Sequence, residues 1–501
     1  MFKKILIANR GEIAIRVIRT CKEMGIVPIA VYSEVDRVAA HVAHAYEAYP
    51  IGPSESRDSY LNIGAILQAA KKSGAEAIHP GYGFLAENAE FARACEEAGV
   101  VFIGPTPDSI ERMGNKLLAR DLMRKAGVQM VPGSDGPVAD EREAARIAKG
   151  IGYPVILKAA AGGGGKGMRI VRKAKEFAAA LEMTTGEAKS AFGDPSVYIE
   201  KYIDNPKHIE VQVMGDGRGT VVTFGERECS MQRRYQKVVE EAPSPVVSVE
   251  MRRAISKAAR TAAAAVDYRS AGTVEFIVDS DRNFYFLEMN TRLQVEHPVT
   301  ELVYGVDLVR MQFELAAGGT LDVPSDIAPR GHAIEMRVYA EDPTNNFMPS
   351  IGTITRLRLP QGPGVRNDNG VYAGYQIPLF YDPLMGKITV WAETRADAIG
   401  RAHRALREYR AEGVRTNIDF LLWATAEQGF RDGSYDTHYI EKHFKADVLH
   451  NPERDVELAS IAAAIAAYRH ATASHYRSAD SEGGDPWGAA ARRAGLRSPL
   501  R

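Results

Sequence analysis

The chain has 501 residues, 45% hydrophobic and 25% charged, with a formal net charge of −1. That length exceeds the roughly 250–300 residues at which single cores stop growing, so several domains are expected. The balanced charge excludes a global field that would attract nucleic acid or an anionic membrane. No apolar run reaches the roughly 20 residues of a membrane span and the three cysteines form no CxxC pair, so the chain reads as soluble and cytoplasmic.

The opening segment "KKILIANRGEIAIRVIRTCKEMGI" predicts a buried strand, a turn at 9–11 and an amphipathic helix. "VPIAVYS" and "AEAIHPG" repeat the short apolar strand, with helical stretches between and after them, which predicts a doubly wound parallel sheet. No GxGxxG follows the first strand, so a dinucleotide site is not expected there. From residue 104 the texture changes. A helix over "DSIERMGNKLLARDLMRKAGV" leads to the strand "YPVILKAA", a glycine run and another helix. Then come "SVYIEKYI", "KHIEVQVMGD", "GTVVTFGERECS", "AGTVEFIVDS" and "NFYFLEMN", punctuated by turn residues at 215–217 and 279–283 as antiparallel hairpins. A second β-rich stretch runs from Pro329 to about Val390, before the helix "ADAIGRAHRALREYR". Beyond Val448, "ERDVELASIAAAIAAYRHA" reads as one helix, and "SHYRSADSEGGDPWGAAARRAGLRSPLR" is rich in Arg, Ala, Gly and Ser, either a mobile tail or a docking segment with Trp487 as an anchor.

"KAAAGGGGKGMRIV" (158–171) is not a Walker A loop. Measured from Lys166, its first glycine falls at Ala160, and Gly167 stands where a metal-holding hydroxyl belongs. Glycines after a strand lysine still let backbone N–H groups curl around an anion, so a flap over a nucleotide is expected, with another group to hold the metal. In "KHIEVQV", His208, Glu210 and Gln212 share the face opposite Ile209, Val211 and Val213, a pattern that a solvated sheet face would give equally. "AGTVEFIVDSDRNFYFLEMNTRLQVEHP" is more informative. A hairpin closing at 281–282 sets Glu275 opposite Glu288, with Asn290 further along the same face. Two carboxylates so close need a cation, and hard oxygens suit magnesium or manganese. Arg292, Gln294 and Glu296 then alternate, a guanidinium fork for a planar oxyanion beside a carboxylate that can act as general base.

A glycine loop after a strand lysine, with acidic metal ligands on an antiparallel sheet, resembles the ATP-grasp ligases. "HPGYGFLAEN" (79–88), "CSMQRRYQKVVEEAPSP" (229–245), "EMNTRLQVEHPVTE" (288–301) and "GHAIEMRVYAEDP" (331–343) narrow the resemblance, over about residues 1–446, to the biotin carboxylase family. It implies a multidomain α/β and α+β fold: a Rossmann-like pre-ATP-grasp domain (1–103), an ATP-grasp domain (104–330, lid about 131–203), a β-rich C-terminal domain (331–446) and a tail (447–501). By the same resemblance Lys116, Lys158, Gly163, Gly164, Gly165, Lys166 and Gly167 hold the ATP phosphates. Glu200, Lys201 and Ile203 line the adenine pocket through their backbone, with Met168 on the base, His208 at the ribose and Gln232 near it. Glu275, Glu288 and Asn290 carry the metal; Lys237, Arg292, Gln294, Val295 and Glu296 form the bicarbonate site; Arg337 and Tyr82 flank biotin.

The implied reaction uses ATP and bicarbonate, through carboxyphosphate, to carboxylate N1′ of biotin. No Ala/Val-Met-Lys-Met tetrapeptide occurs, so biotin is expected on a separate carrier protein, with a carboxyltransferase subunit handling the acceptor. A homodimer is implied, Arg19, Glu23 and Arg366 matching polar interface positions. Tyr235 stands where many members of the family have histidine, and Cys229 reads as a packed small residue rather than a nucleophile. Two alternatives stand beside this reading: another ATP-grasp ligase that makes an acyl phosphate, and a non-catalytic nucleotide-binding scaffold.

Overall fold

The computed structural model describes residues 1–138, 140–159, 167–324, 327–449 and 452–479. They fall into two compact units, 1–444 and the segment from Lys445 onward. In the second unit the described residues contain one long helix, Pro452–Ala479; Trp487, the expected anchor, lies outside the described residues.

The first unit opens with a five-stranded parallel sheet, in the spatial order Glu47–Gly52, Val27–Ser33, Lys4–Ile7, Ala77–His79, Val101–Phe102. The central strand is apolar on both faces, with Ile5, Leu6 and Ile7 fully buried, as expected for a parallel strand covered by helices on each side. Helix Gly11–Glu23 lays Ile13, Ala14, Val17, Ile18 and Cys21 against it, one apolar stripe at helical spacing. Side-chain caps mark later helix starts: Asn62 accepts from the Ala65 N–H and Asn88 from the Phe91 N–H.

Eight antiparallel strands form the second sheet, in the order Phe284–Asn290, Arg269–Val278, Lys207–Asp216, Val221–Arg233, Gln236–Ala242, His332–Tyr339, Leu384–Ala392, Val365–Asn369. The β-rich stretch after residue 330 is therefore not a separate sheet; it continues the first one by pairing Glu240 with Glu335 and Glu241 with Ile334. A three-stranded antiparallel sheet stands apart, with Val155–Ala159 between Met168–Val171 and Val197–Lys201.

Two of the bulges in the eight-stranded sheet set which side chains meet around Glu210 and Glu275. Near its turn the hairpin pairs Val278 with Phe284 and Phe276 with Phe286, one residue away from the register that a turn at 281–282 predicts. The loop is longer, closed by the Asp279 N–H on the Asn283 carbonyl, with Arg282 at φ +65°. A register shift after Phe276 then restores the expected pairing of Glu275 with Glu288. The second bulge lies between Thr223 and Glu226 and contains Gly225 at φ +57°, where a Cβ would collide with the Tyr304 hydroxyl. It turns Arg227, rather than Glu226, toward Glu210. Glu288, Glu275, Glu210 and Arg227 thereby form one charged row across four strands.

Candidate active site

A cavity of about 640 Å³ opens between the sheets. One wall is the three-stranded sheet, with Lys158, Met168, Glu200 and Lys201; Glu275 and Glu288 of the charged row line the cavity too, as do Tyr82 and Arg337. Lys237 is the centre of the charge. Its ammonium lies 2.5 Å from Glu210, 3.0 Å from Glu275 and 2.7 Å from Glu296, all buried. Burial alone would push that lysine down, but the three carboxylates hold it well above the ordinary value.

Glu296 is gripped a second time, by Arg337 Nη2 at 2.9 Å. Burial raises the Glu296 carboxyl, and Lys237, Arg337 and Arg227 together override it, keeping the group ionised well below the usual range. Arg337 also donates through Nε to Glu240 Oε1 at 2.6 Å. Burial pushes Glu240 up to about 7 in spite of that arginine, so the two carboxylates sharing one guanidinium have opposite tendencies.

Glu275 is the hub of the hydrogen bonds. It accepts from His208 Nε2 (2.7 Å), Asn290 Nδ2 (2.8 Å) and Gln294 Nε2 (3.0 Å). Burial pushes its carboxyl up; Lys237 and His208 outweigh that and hold it low. Gln232 donates to His208 Nδ1 at 2.7 Å, fixing the ring from behind. Arg292 is aimed by three side-chain acceptors: Glu87 Oε2 (2.8 Å), Gln294 Oε1 (2.6 Å) and Asn290 Oδ1 (3.1 Å). Glu288 faces the cavity opposite Glu275, a hard-oxygen pair that fits a magnesium or manganese ion. Asn290, expected as a further ligand, spends its amide on Glu275 and Arg292 here.

On the wall formed by the three-stranded sheet, Lys158 Nζ donates to Glu200 Oε2 at 2.5 Å, and Arg120 donates to the other Glu200 oxygen. The Glu200 side chain is thus held between two cations. Lys201 turns its ammonium away, to the carbonyls of Gly152 and Tyr153, and Ile203 lines the cavity. Gly167, at φ +73°, accepts the Ala159 N–H where the Lys158 and Met168 strands meet. Gly163, Gly164, Gly165 and Lys166 lie outside the described residues, as does the side chain of Lys116.

Three models of known families match successive parts of the chain. The biotin carboxylase N-terminal domain covers 1–110, the carbamoyl-phosphate synthase L chain ATP-binding domain 115–323, and the biotin carboxylase C-terminal domain 335–442. A biotin carboxylase of Halalkalibacterium halodurans is 52% identical over 453 residues, 90% of this chain and 100% of that one. The chain belongs to the biotin carboxylase family. The 2-oxoglutarate carboxylase small subunit of Hydrogenobacter thermophilus is 50% identical, over 93% of this chain and 99% of its own. Among solved structures, the biotin carboxylase domain dimer of 2-oxoglutarate carboxylase from the same organism, with MgADP, ADP and bicarbonate, superposes with a TM-score of 0.84 at 51% identity. It covers 90% of this chain and 99% of that one.

As a member of the biotin carboxylase family the chain is an ATP-dependent ligase of mixed α/β fold. Several groups that hold the cavity's lining residues in place escaped the motif reading. Glu210 sits on the alternating face of "KHIEVQV", yet its pairing with Lys237 and Arg227 depends on the bulge at Gly225. Glu87, inside "HPGYGFLAEN", reaches Arg292 across 205 residues. Arg227 is fully buried, bonded to Glu210, Gln212, Thr273 and Thr300. Cys229 is buried, its thiol pushed well above the ordinary value by burial, so it supplies no thiolate. Arg366, matched to a dimer position, bonds Glu301 and Asp368 within the chain.

Proposed function

We propose that this chain carboxylates N1′ of biotin on a separate carrier protein, with ATP and bicarbonate as co-substrates, as the first half-reaction of a multisubunit carboxylase. The observation that carries it is the convergence of Lys237 and Arg337 on the ionised Glu296, beside Arg292 and within the same cavity as Lys158 and Met168.

Bicarbonate sits between Arg292 and Lys237, and Glu296 takes its proton. The freed oxygen attacks the ATP γ-phosphorus, ADP leaves, and carboxyphosphate forms while Lys158 and Lys237 face the charge that spreads over the phosphoryl oxygens. Carboxyphosphate breaks to CO2 and phosphate; the phosphate accepts the N1′ proton of biotin and the nitrogen captures CO2. Arg337 stabilises the negative ureido oxygen, and Tyr82 flanks the ring. A magnesium or manganese ion held by Glu275 and Glu288 would neutralise phosphate charge when bound. Lys116 and the glycine loop around 163–167 are assigned to the ATP phosphates, and exclusion of water from the site protects the labile intermediate.

The carrier and the carboxyltransferase are separate proteins, a reading supported by a similar chain of nearly the same length being named as the small subunit of a carboxylase. Among the described residues no helix is long and apolar enough to cross a membrane. The three cysteines are free, which supports a place in the cytoplasm. The segment after residue 446 is the docking element for one of the partners, and a homodimer is the working form.

The test is phosphate release from MgATP and bicarbonate by the purified chain, with and without free biotin and then with a biotinylated carrier domain. Stimulation by either form of biotin is the expected result. ATP binding with no stimulation by either would refute the proposal.

A further inference from the structure

Lys387 lies on strand Leu384–Ala392, directly opposite Arg337 on one neighbouring strand and Asp368 on the other. Its side chain is fully buried. The ammonium donates to the carbonyl of Val295, the residue before Glu296, and lies 3.3 Å from Glu12 Oε1 on the first helix of the chain. That same Glu12 oxygen accepts the hydroxyl of Tyr82, which lines the cavity. One buried cation thus touches, directly or through a single carboxylate, two residues that line the site, Val295 and Tyr82. An aliphatic side chain would fill the space without the cost of burying an ion. Glu12 Oε2 is also buried, with no hydrogen-bond partner among the described residues, and Lys387 is the cation that the other oxygen of this carboxyl faces.

We propose that Lys387, with Glu12, is a positioning residue that sets the Val295–Glu296 peptide against bicarbonate and the Tyr82 hydroxyl against biotin. This rests on the proposed reaction. Lys387 touches neither reactant; it acts by fixing two groups that do. Its location beside Arg337 means that adjacent strands grip adjacent residues of one loop, Lys387 at Val295 and Arg337 at Glu296.

The test uses the full chain and two variants, Lys387→Met and the double variant Glu12→Gln/Lys387→Met. The second leaves no unbalanced ion from the Glu12–Lys387 pair and so separates positioning from folding. Biotin-dependent phosphate release is measured while bicarbonate, biotin and ATP are varied in turn, and a urea midpoint is recorded for each protein. Both variants are expected to raise KM for bicarbonate and for biotin roughly tenfold, with KM for ATP within about twofold of the parent. A lysine serving only the fold would lower the urea midpoint and the amount of active enzyme without moving those two constants selectively. A double variant that keeps the parental midpoint and the parental KM for bicarbonate and biotin overturns the proposal. A parent that binds ATP but shows no biotin stimulation overturns the underlying reaction, and this inference with it.

Discussion

Replacing Glu296 by glutamine tests the centre of the mechanism with little change in shape. The carboxylate lies 2.7 Å from Lys237 and 2.9 Å from Arg337. At an effective dielectric of about 20 those contacts are worth about 6 kcal/mol each before desolvation. Removing the charge also removes the burial penalty of a carboxylate, which is of comparable size. Neither cation is stranded: Lys237 keeps Glu210 and Glu275, and Arg337 keeps Glu240. The variant is therefore expected to fold with a stability change of no more than a few kcal/mol. Its chemistry is expected to fail, because an amide accepts no proton from bicarbonate. General-base assistance is typically worth 10²–10⁴, so biotin-dependent phosphate release should drop by about that factor, or about 3–5 kcal/mol in the barrier. ATP binding, which we propose draws on Lys158, Met168 and His208, should stay within about threefold, measured by calorimetry on the same preparation. A variant that carboxylates biotin within threefold of the parent would refute the general-base assignment. Equal losses of turnover and ATP binding would refute the separation of the two subsites.

Glu288→Gln should leave folding intact, since the side chain faces the cavity, and should raise the magnesium concentration for half-maximal activity by about tenfold; an unchanged magnesium titration would remove Glu288 from the metal site. Arg227→Met strips buried Glu210 of one of its two cations and should cost about 3–5 kcal/mol in urea unfolding, while a loss under about 1 kcal/mol would show the site relaxing around it. Glu241 is held down to about 2, since hydrogen bonds from His332 and Arg395 override the upward push of burial. Its folded value lies below its unfolded one of about 4.5, so it contributes about 3 kcal/mol above pH 4.5, lost as pH falls toward 2. Glu241→Gln should flatten that part of the stability profile, and an unchanged acid limb would exclude the group as its source.

Much of the site was legible because its chemistry is concentrated in contiguous phrases. Alternation within one hairpin was enough to set Glu275 against Glu288, and a three-residue alternation gave Arg292, Gln294 and Glu296. The hairpin reaches that register by a different route from the one expected: the loop is longer than two residues, and a bulge makes up the difference. Such a bulge has no signature in a pattern of period two, because it is defined by the partner strand. The same limit hid Arg227, whose facing depends on Gly225. Glu87 and Glu240 were missed for a different reason. Each acts on an arginine from another element, 205 and 97 residues away, and no local spacing encodes that meeting. The continuity of the eight-stranded sheet across residue 330 was likewise invisible to a reading that separates segments by composition.

That continuous sheet has a consequence for how such chains can be rebuilt. Lys237 and Arg337, the two cations holding Glu296, come from neighbouring strands on either side of residue 330. The gap between the second and third matching family models falls between them, at 323–335. A graft made at that gap, however natural it looks on a domain map, would exchange half of one ladder and with it one of two partners of the same carboxylate. The part of the compact unit after residue 330 is therefore not an interchangeable cassette. It is inherited with the strands it completes, and a chimaera would have to match its parent strand for strand before it could match it in chemistry.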